Sequence, residues 1–244
     1  MQVDLVVFDV AGTTVVDENN VAATLRLALL DVGCSVREDA CARVMGLPKP
    51  VALEALADGL VPSDELPALV ARAHDVFVER MVHHYLSSPA VRPVRGAETT
   101  FQVLRDEGIA VALDTGFSRP IMDAILMRLA WYDDVVDFTV TSDEVQAGRP
   151  HPHMIHRAMA AASVALPARV MKVGDTPADM REGVAARAGF VVGVLSGTGS
   201  RAELEETGAT HIIEDVSQLP RLVFGAMHGS PASSPRRSNP AFGV

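Results

Sequence analysis

The chain has 244 residues and is acidic, with 31 Asp and Glu against 21 Lys and Arg and a formal net charge of −10; this argues against a general nucleic-acid-binding surface but leaves room for a local basic pocket for an anion. Hydrophobic residues make up 48%, enough for a sizeable core, while two cysteines, Cys34 and Cys41, give no disulfide framework and fit a reduced, cytoplasmic setting. The first apolar run is bracketed by Asp4 and Asp9 and is too short for a signal peptide or a membrane span.

Val3 to Phe8 reads as a buried parallel strand, short and rich in β-branched residues. Roughly ninety residues separate it from the next strand signal, too many for one crossover. That interval carries helical patterns at Val21 to Val32, Arg37 to Met45, Val51 to Leu60 and Leu66 to Leu86, so residues 16–91 are expected to form an inserted helical domain. Pro93 and Gly96 mark the return to the core, residues 1–15 and 92–228. There a helix over Glu98 to Glu107 leads to a strand at Ile109 to Leu113. A helix at Ile121 to Leu129, a strand at Val135 to Val140 and a helix at His153 to Ala162 follow. Further strands are expected at Val170 to Val173, Val191 to Leu195 and, more weakly, His211 to Ile213. Alternating strands and helices predict an α/β fold: a Rossmann-like parallel sheet covered on both faces, with the all-helical insert as a cap. The Ser-, Pro- and Gly-rich segment 229–244 reads as a disordered tail.

In such a sheet, ligands bind beyond the carboxyl ends of the strands. The first strand ends in Asp9, followed by Ala11, Gly12 and Thr13. "LDTGFSR" after the second brings Thr115 and Gly116; "AGRPHPHM" near the third brings Arg149; "KVGDTPADMREG" at the fourth brings Asp175 and Asp179. That inventory suits phosphoryl chemistry. An Asp serves as a covalent nucleophile. Mg²⁺ takes one or two carboxylates, here Asp9 and Asp175. Thr13, Thr115, backbone N–H groups near Gly12 and Gly116, and the Arg149 fork suit the transferring oxygens. Arg149 suits charge balance at the aspartates as well as phosphate binding. Each residue also has a plainer reading: Asp175, Asp179 and Thr115 as helix caps, Arg149 as a surface ion pair, and Lys49 as a solvated helix-start lysine. "HPHMIH", His151 to His156, has metal-like spacing, but Pro152 interrupts it and no matching ligand cluster accompanies it. "SGTGS", Ser196 to Ser200, lacks a P-loop ending and reads as a flexible connection. His83 and His84 read as insert-surface residues.

Taken in order, "FDVAGTT", "DTG", "AGRPHPHM" and "VGDTPADMREG" resemble the motif set of the haloacid dehalogenase superfamily of hydrolases, over nearly the whole chain except the tail. Within it the nearest resemblance is to the phosphonatase family: the first motif is D-x-A-G-T, with Ala11 where a second Asp is usual, and Arg149 replaces the usual Lys of the third motif. "VMGLPKP" adds M-G-x-x-K, comprising Met45, Gly46 and Lys49. The resemblance implies Asp9 as nucleophile and Lys49 as a Schiff-base former with a substrate aldehyde. It implies Mg²⁺ held by Asp9, the Ala11 carbonyl and Asp175, with Asp179 organising their loop, and Met45 and Gly46 at the substrate. It also implies a small phosphonate or phosphate substrate and a homodimer through the cap. An iminium at Lys49 accepts the electrons when a C–P bond breaks, so no acid is needed at Ala11. The chain departs from the family at Val10 (Trp there), Ala52 (His) and Phe117 (Tyr). A phosphatase for small esters and a noncatalytic phosphate-binding protein are the alternatives.

Overall fold

A computed structural model describes residues 2–225; the expected tail lies outside them. Six parallel strands form one sheet: β1 Leu5–Phe8, β2 Ala110–Thr115, β3 Phe138–Thr141, β4 Val170–Gly174, β5 Phe190–Val194 and β6 His211–Ile213, in the order β3-β2-β1-β4-β5-β6. The helices are α1 Asn20–Asp31, α2 Glu38–Ala42, α3 Lys49–Ala57, α4 Leu66–Ser87, α5 Ala97–Asp106, α6 Arg119–Leu129, α7 His153–Ala161, α8 Pro177–Ala185, α9 Arg201–Glu206 and α10 Leu219–Phe224.

β1 is buried along its whole length because both sheet faces are covered. Its side chains alternate between them. Val6 and Phe8 join the larger core with Phe101 and Leu104 of α5; Leu5 and Val7 join a second core with Met154, Ile155 and Ala158 of α7. Phe8 pairs in register with Leu113 of β2 and Val173 of β4, so Asp9, Asp114 and Gly174 emerge side by side. The chain runs from β1 through β2 to β3 on one side, then crosses to β4 on the other. Asp9 therefore stands at the point where strand order reverses.

Four helices, α1 to α4, lie between β1 and β2. α4 buries Leu69, Ala73, Phe77, Met81 and Tyr85, a strict four-residue stripe that ends near the β2 loop. The two segments joining these helices to the sheet pair with each other: Val16 N–H donates to the Arg92 carbonyl (3.1 Å), Val94 N–H donates to the Thr14 carbonyl (2.8 Å), and Val15 bridges Pro93 in antiparallel fashion.

The structure departs from the sequence reading in places. β3 starts at Phe138, not Val135. The Val135 and Val136 amides instead turn back to the Tyr132 carbonyl (2.7 and 3.1 Å), closing a turn. α2 stops at Ala42, and the chain then turns through Gly46 at φ +80°. Cys34 and Cys41 are buried and free. No helix among the described residues is long and apolar enough to cross a membrane.

Candidate active site

Asp9 leaves β1 with its N–H bonded to the Val173 carbonyl (2.8 Å), which ties the first motif to β4. The loop then folds tightly: Thr14 and Val15 N–H groups return to the Val10 carbonyl, and the Thr14 hydroxyl donates to the Asp9 carbonyl (2.9 Å). Gly12 takes φ +90°, and a Cβ there would lie 2.7 Å from the Asp175 carboxylate. Only glycine fits, for backbone and for space.

Asp175 meets neutral donors alone. The Thr13 hydroxyl donates to Oδ1 (2.9 Å), and the Thr198 N–H (2.8 Å) and hydroxyl (3.3 Å) donate to Oδ2. Gly199 N–H donates to the Asp175 carbonyl (2.9 Å), and the Ser196 hydroxyl to the Gly12 carbonyl (2.8 Å). The Ser196–Ser200 stretch, expected as a flexible connection, is thus bonded into the site. It looked featureless in sequence because its bonds are made to distant residues.

Beneath Asp9 lies a buried ionic cluster. The Arg149 guanidinium, 2% exposed, contacts Asp9 (2.6 Å), Asp179 (3.1 Å), Glu182 (2.9 Å) and Asp114. Lys172, wholly buried in β4, reaches Asp179 (3.1 Å), Glu182 (3.1 Å) and Asp114. With its N–H groups so engaged, Arg149 has the contacts expected of charge balance. Burial alone would weaken both cations, yet Asp114, Asp179 and Glu182 together raise their pKa values. Asp114 is held low despite burial, because Arg149 and Lys172 flank it. Glu182 is pushed up to about 8, first by burial and then by Asp114. Asp179 also accepts from the Thr176 hydroxyl (2.5 Å) and N–H (3.1 Å), closing a capping box at the start of α8.

Five buried carboxylates, Asp9, Asp114, Asp175, Asp179 and Glu182, face two buried cations, Arg149 and Lys172. The deficit shows at Glu182 and at the upper two, Asp9 and Asp175. Burial, opposed mainly by Arg149, raises Asp9 to about 6; burial and then Asp9 raise Asp175 to about 8. Oxygens of Asp9, Asp114 and Asp179 lie within 4.8 Å of one another and offer one possible cation grouping. Arg149 and Lys172 already occupy it. Asp175 has no cationic partner of its own among the described residues, so the Asp9–Asp175 side is where the donor set fits a hard divalent cation.

The helical insert meets this edge through residues 45–49. Gly46, at φ +80°, packs so closely on Thr176 and Ala178 that a Cβ would overlap them. A Cβ on Gly116 would lie 2.6 Å from the Leu47 carbonyl, and one on Gly148 2.7 Å from Pro48. Lys49 N–H donates to the Gly116 carbonyl (3.3 Å). Its ammonium donates to the Leu47 carbonyl (3.2 Å) and lies over the Phe117 ring. Lys49 is 3% exposed, and burial lowers it to about 8 against the opposing pull of Asp9. Met45 is buried and lines a 280 Å³ cavity with Arg43, Leu47, Ala178, Arg181 and Thr198.

Thr115 ends β2 with its hydroxyl accepting the Phe117 N–H (3.2 Å). Ala52 is fully buried in the core. The Phe117 ring also meets Tyr85 edge-on (6.0 Å between centroids) and Phe77 (6.3 Å). Tyr85 in turn meets His84 (5.3 Å), which is half-buried.

Sequence reasoning missed Asp114, Lys172, Glu182, Thr176 and Thr198. Two left a signal. Lys172 is a charge inside an apolar strand, and Glu182 follows Asp179 at helical spacing.

A family model described as haloacid dehalogenase-like hydrolase matches residues 3–187. A phosphonoacetaldehyde hydrolase from Bacteroides fragilis is 32% identical over 154 residues, covering 54% of this chain and 58% of that protein. A second phosphonoacetaldehyde hydrolase, from Bacillus cereus strain G9842, is 30% identical over 217 residues, covering 84% and 81%. Among solved structures, a phosphonoacetaldehyde hydrolase-like protein from Oleispira antarctica matches with a TM-score of 0.77 at 19% identity, over 91% of this chain and 92% of that one. A putative phosphoglycolate phosphatase from Lactobacillus delbrueckii gives 0.73 at 18% identity, over 92% and 100%. At these identities the structural likeness is one of fold.

Proposed function

Because the chain belongs to the haloacid dehalogenase-like hydrolase family, we propose that it is a Mg²⁺-dependent hydrolase of the C–P bond in a 2-oxoalkylphosphonate such as phosphonoacetaldehyde. One observation carries the reading: Lys49 is buried where the insert meets the Gly116 turn, its ammonium over the Phe117 ring, and burial lowers its pKa to about 8. An amine of that kind is free often enough near neutral pH to attack a carbonyl.

In this reading residues 16–91 act as a cap over the core, 1–15 and 92–228. Asp9 attacks phosphorus, and water then hydrolyses the aspartyl phosphate. Lys49 condenses with the substrate carbonyl, and the C–P electron pair passes into the resulting iminium to give an enamine. Protonation of the enamine carbon and hydrolysis return the lysine. This supplies an electron sink where Ala11 supplies no acid. The Asp9 and Asp175 carboxylates and the Ala11 carbonyl would hold Mg²⁺, which when bound screens the repulsion between an anionic nucleophile and an anionic phosphoryl group. Thr13, Thr115 and the N–H groups of the Gly12 and Gly116 turns bind phosphoryl oxygens. Arg149 keeps Asp9 ionised, and Asp179 holds the α8 end of the site. Met45 and Gly46 close over the carbon fragment. A homodimer through the insert is part of the same family-based reading.

A phosphate-ester substrate is the second reading. It is favoured by Ala52 and Phe117, which stand where the resembled phosphonatases carry His and Tyr. The deciding experiment is phosphate release from phosphonoacetaldehyde with Mg²⁺, wild type against Lys49→Arg, beside a panel of phosphate esters. Lys49-dependent release carries the first reading. Ester turnover alone, unaffected by Lys49→Arg, carries the second.

A further inference from the structure

Where the insert meets the core, the 280 Å³ cavity beside Met45 is lined by two arginines, Arg43 from the turn after α2 and Arg181 from α8. The fold satisfies neither. The Arg181 guanidinium has no ion-pair or hydrogen-bond partner among the described residues. Arg43 has only Asp39, at 3.8 Å, and both Asp39 oxygens already accept from Arg37 (2.8 and 3.1 Å). The one carboxylate in the cavity wall, Glu203, is engaged at the start of α9, where it accepts the Ser200 N–H (2.9 Å) and hydroxyl (2.6 Å). Two uncommitted cations, one from the insert and one from the core, thus face a single cavity in a chain of net charge −10. A concave site lined by one sign of charge draws ions of the other.

The cavity also touches both halves of the candidate active site. Leu47, in its wall, lends its carbonyl to the Lys49 ammonium (3.2 Å), and Thr198, in its wall, donates its N–H to the Asp175 carboxylate (2.8 Å). A group that fills it lies alongside the amine and the metal-side carboxylate, not on a separate face.

We propose that this cavity is a carboxylate subsite, in which Arg43 and Arg181 hold an acid group at the carbonyl end of the substrate. Taken with the C–P reading above, on which the substrate class rests, the subsite makes the substrate a phosphono-2-oxo acid and not an aldehyde. The phosphoryl end belongs at Asp9 and the carbonyl carbon at Lys49. An aldehyde carries only hydrogen beyond that carbon and leaves both arginines bare. The cavity has the volume of about nine waters, room for a carboxylate and a short spacer. The guanidinium fork matches the two oxygens of a carboxylate. Arginines from insert and core that grip one acid group also join the two parts across their seam.

The test measures binding apart from turnover. Titration calorimetry on the full chain with Mg²⁺ compares 3-phosphonopropionate with propylphosphonate, and 4-phosphonobutyrate with butylphosphonate. Each pair differs in the carboxylate alone and offers Lys49 no carbonyl. The expected result is a carboxylate preference of roughly tenfold or more in the wild type, falling toward one in both Arg43→Gln and Arg181→Gln. Arg201→Gln removes the same charge from α9 outside the cavity and keeps the preference. Acids that bind no better than their alkyl partners in the wild type, or a preference that both cavity variants retain, overturn the subsite. Phosphate release from 3-phosphonopyruvate, wild type against Lys49→Arg, then reads the chemistry. A carboxylate preference lost in the two arginine variants, beside no Lys49-dependent release, upholds the subsite and overturns the C–P reading, placing the acid group on a phosphate ester.

Discussion

The Lys49 ammonium stands 5.1 Å from the centroid of the Phe117 ring, so the first residue of α3 is seated on the loop that follows β2. The ring face favours the protonated lysine, whereas burial favours the neutral one. Burial wins, and the lysine settles at about 8. C–P cleavage that needs the free amine should therefore rise with pH and level off on that limb near 8. A pH–rate profile of single-turnover phosphate release checks it; a limb near 10 would mean an unperturbed lysine.

The same burial has a stability consequence. Lys49 binds its proton less tightly folded than unfolded, so between about 8 and 10.5 the unfolded chain carries more protons. Stability contributed at this position rises with pH across that window and is lost below it. Lys49→Met should raise stability at pH 7 by about 2–3 kcal/mol while abolishing C–P cleavage. Urea unfolding at pH 7 and pH 10 measures both the gain and its disappearance.

Lys172 is the opposite case. Its charge answers Asp114, Asp179 and Glu182 in a place water does not reach. Lys172→Met should cost about 3–5 kcal/mol, since it leaves buried carboxylates short of a partner. Breaking the half-exposed Asp4–Arg169 pair by Arg169→Ala should cost under about 1 kcal/mol. Denaturant melts of the two variants give the contrast directly.

Two glycines separate seating from backbone strain. Gly33 and Gly46 both take positive φ, but a Cβ at Gly33 meets nothing within 4 Å, whereas one at Gly46 collides with Thr176 and Ala178. Gly33→Ala should lose only the conformational term, about 1 kcal/mol, with activity intact. Gly46→Ala should lower kcat/KM by roughly tenfold or more, because a misplacement near 1 Å at a reacting group is costly. Steady-state kinetics beside thermal melts distinguish the two.

Chelation should stop turnover, and Mg²⁺ should restore it and raise Tm. Asp9 near 6 and Asp175 near 8 must lose protons to bind a cation, so apparent metal affinity should increase from pH 6 to pH 8. Asp175→Asn should remove the Tm response to Mg²⁺. Calorimetric titration across pH reads the slope.

The sheet was legible because β1, β2, β4 and β5 are short apolar runs, and buried parallel strands look like that. The edge was legible because Asp9, Thr115 and Asp175 sit where such runs end. α8 was hard to see as an amphipathic helix, because two of its buried positions are Asp179 and Glu182. α9 and α10 span six residues each, too few for a period to emerge. The Thr198 contact with Asp175 joins residues 23 positions apart, and nothing local encodes it.

The two segments entering and leaving the helical insert are hydrogen-bonded to each other as a short antiparallel ribbon. A ribbon differs from two separate tethers. It resists splaying and sliding, because either would break its rungs, and it bends about the axis that leaves them whole. Through Thr14, Val16, Arg92 and Val94 the two connections thus act as one joint between insert and sheet. The seat of Lys49 above Phe117 is thereby tied to backbone remote from it.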